Sequence, residues 1–281
     1  MLGHKLCQHL GERFEVLGTI RNTTASPELE RRLPKTRILT GVEADDVSSI
    51  ERAIVSERPD VVINAIGVVK RSSAGSDVVS TLQANSILPH ELARITLRDG
   101  VRLITFSTDC VFSGAKGGYS EQDPPDADDL YGISKRFGEP AGDNVLVVRT
   151  SIIGHEVVSR RGLLEWFLSN NGGSVKGFQR AIFTGFPTVV LSGIVGDLIE
   201  HHPRLEGIYH VSSDPISKFD LLSTIADIYG LDVEIEPSDE VIIDRSLDST
   251  LFREATGFRA RSWPGMIRLM LDDHTTSDMP V

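Results

Sequence analysis

The chain has 281 residues, of which 40% are hydrophobic, and its formal net charge at pH 7 is -11. This length and apolar content suffice to bury one large core or two closely joined ones. The negative charge argues against a nucleic-acid-binding surface, no apolar run approaches the roughly 20 residues of a membrane span, and the N-terminus lacks the pattern of a signal peptide. Two cysteines far apart in sequence, Cys7 and Cys110, offer neither a disulfide framework nor metal-ligand spacing, which is typical of a cytoplasmic protein.

The chain begins with a methionine directly before a helix-like segment. Met1, Leu2 and Gly3 precede "HKLCQHL", and the first strand-like run covers residues 14–21. The segment has the pattern of the second half of a strand–turn–helix unit. The hypothesis is that Met1 is an internal methionine of a longer reading frame, or that the chain is truncated.

Residues 1–150 alternate between strand-like and helix-like segments. Nearly continuous β-branched runs, typical of strands buried on both faces of a parallel sheet, cover residues 14–21, 60–69, 101–112 and 144–153. One helix is predicted between Asp45 or Asp46, either of which can cap it, and Pro59, and a second over residues 88–100. The alternation predicts an α/β fold with a doubly wound parallel sheet, whose ligand site lies at the carboxyl ends of the strands.

After about residue 150 the pattern is less regular. Amphipathic helices are predicted over residues 162–170, 189–202 and 219–230, and a short strand over residues 207–213. We expect segments at about 182–213 to return to the main sheet. The polar tail from Asp272 is expected to fray.

The residues of chemical interest are concentrated between residues 106 and 139. Tyr131 and Lys135 stand four apart, so on a helix they share one face. A lysine ammonium beside a tyrosine stabilises the phenolate and makes the hydroxyl a usable acid at neutral pH. Ser107 and Thr108 end an apolar run, where their hydroxyls can bind a carbonyl oxygen. Alone, the pair is weak evidence, because a helix can carry both residues on its surface.

An ordered set of motifs makes the pattern more specific. The motifs are "INAIG" (63–67), "NSILPHELA" (85–93), "STDCVFSG" (107–114), "YSEQDPP" (119–125), "YGISK" (131–135), "VVRTSIIG" (147–154) and "GIYHVSS" (207–213). Together they resemble the extended short-chain dehydrogenase/reductase superfamily, and within it the dTDP-4-dehydrorhamnose reductase-like group. The resemblance covers nearly the whole chain. It implies a Rossmann-like sheet that lacks its first strand here, a dinucleotide-binding domain over residues 1–150 and a smaller α+β substrate-binding region over residues 151–281.

The resemblance implies a reductase mechanism. A nicotinamide cofactor, NADPH or NADH, would deliver hydride to a ketone carbon of a nucleotide-linked 4-keto-6-deoxy sugar, in deoxysugar or polysaccharide biosynthesis. Tyr131 would protonate the developing alkoxide, and Thr108 would polarise the carbonyl. Lys135 would lower the pKa of the tyrosine and bind the nicotinamide ribose.

The resemblance also suggests substrate contacts. Asp109 and Phe112, on the loop after "ST", would help to shape the sugar pocket. Trp166 and Arg245, in the less regular half, would face the substrate, although a tryptophan on an amphipathic helix is more often a core residue and a lone arginine more often solvated. Cys110 stands where relatives often have tyrosine, so the local substrate contact differs.

Cofactor contacts are expected at strand ends and at the start of the first helix. The candidates are Leu2, Gly3, Arg21, Glu43, Ala44, Ala65, Ile66, Gly67 and Ser107, together with Tyr131 and Lys135. Leu2 and Gly3 match the end of the family's glycine-rich phosphate loop. Arg21 follows a strand without an acidic neighbour and suits a 2′-phosphate, which favours NADPH. Tight packing is the alternative for residues 65–67, and a surface charge for Arg21.

Three functions stay open from the sequence. They are a nucleotide-sugar reductase, an epimerase or dehydratase of the same superfamily, and a non-catalytic nucleotide-binding regulatory subunit. "STD" before "YGISK" favours the reductase, and the intact Thr108, Tyr131 and Lys135 argue against lost chemistry. The expected partner is a nucleotide-sugar substrate, with no nucleic acid, membrane or metal, and the assembly considered is a homodimer.

Overall fold

A computed structural model describes residues 1–69, 77–157 and 162–278. The N-terminal half contains α1 (Leu2–Leu10), β1 (Val16–Thr19), α2 (Pro27–Arg32), β2 (Thr36–Leu39), α3 (Val47–Glu57), β3 (Val61–Asn64), α4 (Val78–Leu82), a π-helical turn (Gln83–Ile87), α5 (Leu88–Arg98), β4 (Arg102–Thr108), a 3₁₀ turn (Asp109–Val111), α6 (Leu130–Phe137) and β5 (Val145–Thr150). Strands and helices alternate, as the sequence predicts, and every strand pair in this half is parallel.

The C-terminal half is built from shorter elements. It contains β6 (Ile152–Ile153), α7 (Leu163–Leu168), β7 (Ser174–Phe178), β8 (Ala181–Phe183), β9 (Phe186–Pro187), α8 (Thr188–Glu200), β10 (Gly207–His210), β11 (Ile216–Ser217), α9 (Lys218–Tyr229), β12 (Glu234–Ser238), β13 (Ile243–Asp244), α10 (Thr250–Thr256) and α11 (Trp263–Asp278). Most of its strands form small separate sheets, β7 with β12, β6 with β9, and β8 with β11 and β13. This explains the irregular sequence pattern after residue 150.

The main sheet has the strand order β10-β5-β4-β3. β10 pairs in parallel with β5, with Gly207 opposite Leu146, so the chain returns to this sheet late in its course. β1 and β2 form a separate two-stranded parallel sheet. Within the described ranges, β1 pairs only with β2 and β3 only with β4, and no strand precedes α1. The parallel strands therefore form two groups rather than one continuous sheet.

Both faces of the main sheet are buried, which makes the fold doubly wound. On β5, Leu146 and Val148 point into the larger core, whereas Val145 and Val147 point into a smaller core on the opposite face. This alternation follows from the two-residue period of a strand. The larger core includes α1, α7, α8, α9 and α11, and the smaller one includes α3 and α5. The predicted α/β fold with a parallel sheet is confirmed.

The C-terminal helix differs from the prediction. The expectation that the tail frays from Asp272 is wrong, because α11 continues to Asp278. The physical reason is a largely buried ionic contact: Asp273, whose side chain is 12% exposed, pairs with Lys5 and with His9 on α1. A polar sequence is thus tied to the other end of the chain. No helix in the described segments is long and apolar enough to cross a membrane.

Gly138, directly after α6, allows a close contact between two backbone segments. A Cβ atom there would lie 1.7 Å from the carbonyl oxygen of Asn85. We expect Gly138→Ala to lower the free energy of unfolding by about 1–3 kcal/mol, because either α6 or the π-helical turn must shift. The matched control is Gly193→Ala on α8, where a Cβ meets nothing within 4 Å and alanine should stabilise by about 0.5–1 kcal/mol. Chemical denaturation measures both, and equal effects would contradict the packing argument.

Candidate active site

Tyr131 and Thr108 meet where β4 ends against the start of α6. Asp129 caps α6, accepting hydrogen bonds from the backbone amides of Tyr131 (3.0 Å) and Gly132 (3.1 Å). Gly132 permits the close packing, because a Cβ there would lie 2.3 Å from the Cys110 carbonyl oxygen. The short helix is therefore fixed with Tyr131 beside the loop that follows Thr108.

The Tyr131 phenol keeps its proton at neutral pH. Burial raises its pKa most, the nearby Cys110 and Asp109 raise it further, and a hydrogen bond with Thr108 acts in the opposite direction. This net direction differs from the expected lowering by Lys135. The reason is that desolvation of the phenol dominates, while the Lys135 ammonium donates to the Phe106 carbonyl (2.7 Å). The arrangement presents Tyr131 as a proton donor.

Lys135 lies one turn after Tyr131, on the same face of α6, and is buried. Burial lowers the pKa of its ammonium to about 8, against the opposing effect of the Glu139 carboxylate. The ammonium is therefore present below about pH 8 and lost above it.

A buried ion pair that the sequence analysis missed lies behind these residues. Arg149 on β5 binds Glu139 through two nitrogens, Nε to Oε1 (2.8 Å) and Nη2 to Oε2 (2.7 Å). The Ser107 hydroxyl donates to Oε1 of Glu139 (2.5 Å). Ser107, which is predicted to contact the cofactor, thus donates its hydroxyl proton to a buried carboxylate. The sequence signal that could have revealed this ion pair is an arginine inside an apolar strand, because a buried charge requires a partner.

His210 extends the hydrogen-bonded network from Arg149 to β10. Arg149 Nη1 lies 3.1 Å from His210 Nε2, and His210 Nδ1 lies 2.9 Å from the Tyr119 carbonyl oxygen. Nδ1 therefore carries the proton and donates to the carbonyl, and Nε2 accepts from the guanidinium. Burial and the neighbouring Arg149 lower the pKa of His210 to about 4, so the imidazole is neutral.

The predicted substrate residues fall into two groups. Arg245 donates from Nε to the Phe112 carbonyl (2.7 Å), and its Nη1 lies 3.8 Å from the Cys110 sulfur. Asp109 is buried and accepts from the Thr108 hydroxyl (3.0 Å). Arg245 therefore contacts the same loop to which Asp109 and Cys110 belong.

Phe112 and Trp166 occupy other environments. The Phe112 ring is fully buried, stacked on Tyr119 with centroids 4.2 Å apart. It packs beneath the loop, and its part in shaping the sugar pocket stays a prediction. Trp166 is 39% exposed on α7, with its ring 6.5 Å from that of Phe167. Within the described residues, its contacts do not connect it to Tyr131, Thr108 or Lys135.

Two segments of the predicted cofactor residues, the start of α1 and residues 65–67 after β3, form one edge. A Cβ on Gly3 would lie 3.7 Å from the Ala65 Cβ, so the start of α1 adjoins the end of β3. Residues 65–67 are exposed, and Asn64 and Asn85 hold the backbone around them, accepting from the amides of Ile66 (3.2 Å) and Val68 (2.9 Å).

This edge fits a phosphate-bearing group. The first turn of α1, where Leu2 lies, has no side-chain cap, so its amide groups suit an anion. Arg21 is exposed two residues after β1. Glu43 is exposed before α3, whereas Ala44 packs on the smaller core.

Helices on both faces of parallel strands, with a Tyr-x-x-x-Lys pair at the carboxyl end of a central strand, define a short-chain dehydrogenase/reductase of the extended type. Within that class, the chain belongs to the family described as the RmlD substrate binding domain, which matches residues 1–275.

Known proteins similar to this chain carry related names. The spore coat polysaccharide biosynthesis protein SpsK of Bacillus subtilis is 27% identical over 83% of this chain and 86% of its own length. A dTDP-4-dehydrorhamnose reductase of Burkholderia thailandensis is 31% identical over 49% of this chain and 50% of its own. The crystal structure of a hypothetical dTDP-4-dehydrorhamnose reductase from Sulfolobus tokodaii superposes with a TM-score of 0.76 and 28% identity, covering 94% of this chain and 95% of that one.

The environment of Cys110 predicts an unreactive thiol. Burial, and next the nearby Asp109, raise its pKa to about 12, so its thiolate fraction at pH 8 is about a thousandfold below that of a free cysteine. In Cys7→Ala, which leaves Cys110 as the only thiol, we expect reaction with a disulfide reagent at least ~100-fold slower than with free cysteine. The matched Cys110→Ala variant reports on Cys7. Rapid labelling of Cys110 in folded protein would show that this description is wrong.

Proposed function

We propose that this chain is an NAD(P)H-dependent reductase of a nucleotide-linked 4-keto-6-deoxy sugar, acting in deoxysugar or polysaccharide biosynthesis. The observation that carries the proposal is the protonated Tyr131 phenol, hydrogen-bonded to Thr108 at the end of β4, with Lys135 one turn away. The names of the SpsK and dTDP-4-dehydrorhamnose reductase relatives support the substrate class.

Three side chains divide the chemistry. The Thr108 and Tyr131 hydroxyls lie close enough to hydrogen-bond. A carbonyl oxygen bound between them would accept from Tyr131, and also from Thr108 once that hydroxyl turns its proton away from Asp109. Tyr131 then gives its proton to the oxygen as negative charge develops there. Lys135, charged below about pH 8, would stabilise the phenolate that remains and would hold the nicotinamide ribose.

Residues 1–150 are assigned to cofactor binding and residues 151–281 to the sugar nucleotide. The start of α1 with Gly3, and the exposed backbone of residues 65–67, would hold the pyrophosphate and ribose. Arg21 supports NADPH over NADH. When bound, the dihydronicotinamide supplies the hydride. Arg245, with Cys110 beside it, would contact the substrate.

We further propose a cytoplasmic homodimer. Two unpaired cysteines support a reducing compartment. Exposed apolar side chains on α4 and at the end of α6, with Val79 at 76% and Phe137 at 62% exposure, support contact with a second copy.

Tyr131→Phe tests the proposal directly. NADPH oxidation is followed with a panel of nucleotide-linked 4-keto sugars, and we expect kcat to fall by about 10²–10⁴-fold because the proton donor is gone. The control is Tyr209→Phe, on β10, which should keep its activity. Turnover without net NADPH oxidation would instead indicate an epimerase or dehydratase. Ligand binding without turnover in the unaltered protein would indicate a regulatory subunit.

The pH dependence follows from Lys135. Because the pKa of its ammonium is lowered to about 8, we expect kcat/KM to be constant below that pH and to fall about tenfold per unit above it. Lys135→Arg keeps its charge at every accessible pH. We therefore expect this variant to react more slowly and its pH profile to have no alkaline limb, that is, no fall in kcat/KM at alkaline pH. A limb that persists unchanged in Lys135→Arg would assign it to another group.

A further inference from the structure

Glu139 is a buried acid to which the proposed mechanism gives no part. It follows α6 by two residues, and its side chain is 5% exposed. A glutamate is rarely buried to this extent without a charged partner. It stands four residues after Lys135, whose buried ammonium donates to the backbone of β4.

The Glu139 carboxylate is held in place from two strands. Arg149 on β5 binds both carboxylate oxygens, at 2.8 and 2.7 Å, and Ser107 on β4 donates to Oε1 at 2.5 Å. Such a bidentate, charge-assisted geometry is specific in direction. Phe106, which accepts from Lys135, is the neighbour of Ser107 on β4. Lys135 and Glu139 are therefore bound to adjacent residues of one strand.

This arrangement has an electrostatic consequence. Burial by itself disfavours the charged form of a lysine, and a nearby carboxylate favours it. Glu139 is the charged group that raises the pKa of Lys135, against the larger lowering effect of burial.

We propose that Glu139 is a positioning residue of the active site, the fixed counter-charge that keeps the Lys135 ammonium protonated and seated against β4. The role in catalysis rests on the proposed function, because it acts through Lys135. The effect on Lys135 itself does not depend on any substrate or cofactor.

Among the described residues, the other titratable groups of this network are neutral or paired. Tyr131 lies one turn earlier on α6, and its phenol is neutral. Arg149 is bound to Glu139, and His210 behind it is neutral. Glu139 is therefore the group whose charge can be removed to test the proposal.

The test titrates Lys135 directly in the full-length protein, without ligands. The ε-methylene signal of isotope-labelled lysine is followed by NMR against pH and assigned by its loss in Lys135→Met. In the unaltered protein we expect a midpoint near 8. In Glu139→Gln we expect the midpoint to fall by about one pH unit or more, and in Glu139→Asp, which keeps the charge, to recover in part.

Two further variants separate positioning from folding. Glu139→Gln/Arg149→Met removes both charges of the ion pair, so no buried guanidinium is left without its carboxylate, and this variant should fold and show a lowered Lys135 midpoint. Asp273→Asn breaks a comparably buried ion pair on α11 and should lower Tm without moving Lys135. A Lys135 midpoint unchanged in folded Glu139→Gln or in the double variant overturns the proposal. Because no turnover is measured, that result is distinct from a failure of the reductase proposal.

Discussion

The ion pair between Arg149 and Glu139 is the interaction on which the site depends. Both side chains are 5% exposed, so two charges have been removed from water, and leaving either without its partner would destabilise the fold by about 3–5 kcal/mol. The pair satisfies both carboxylate oxygens and, through Ser107, joins the end of α6 to β4 and β5. The same guanidinium reaches His210 on β10. Three neighbouring strands and the segment that follows α6 thus share one network.

Close backbone contact at both ends of α6 complements that network. Side chains at Gly132 and Gly138 would overlap the carbonyl oxygens of Cys110 and Asn85, at 2.3 and 1.7 Å. A helix of eight residues is too short to be stable by itself, and these contacts seat it firmly. Tyr131 and Lys135 therefore project from a fixed helix, as a site that must present a proton at one atom requires.

Much of the fold follows from local sequence. The apolar runs give the buried strands, and Asp46 caps α3 as one of the two predicted candidates. The "YGISK" spacing places Tyr131 and Lys135 on one face of a helix. By contrast, β2 and the full length of α11 were not predicted, because β2 is short and only half-buried and α11 owes its last turns to the contact between Asp273 and α1.

The sequence by itself determined the class of fold, the order of its elements and the choice of Tyr131 as the proposed proton donor, because these depend on hydrophobic periodicity and on residues close together in the chain. Only the tertiary structure decided the environment of that donor. It buried Phe112 beneath the loop, directed Ser107 to Glu139, and bound the Glu139 carboxylate to Arg149. Desolvation and contacts between distant segments set these features, including the raised pKa of Tyr131, and neither is encoded in the spacing of a motif.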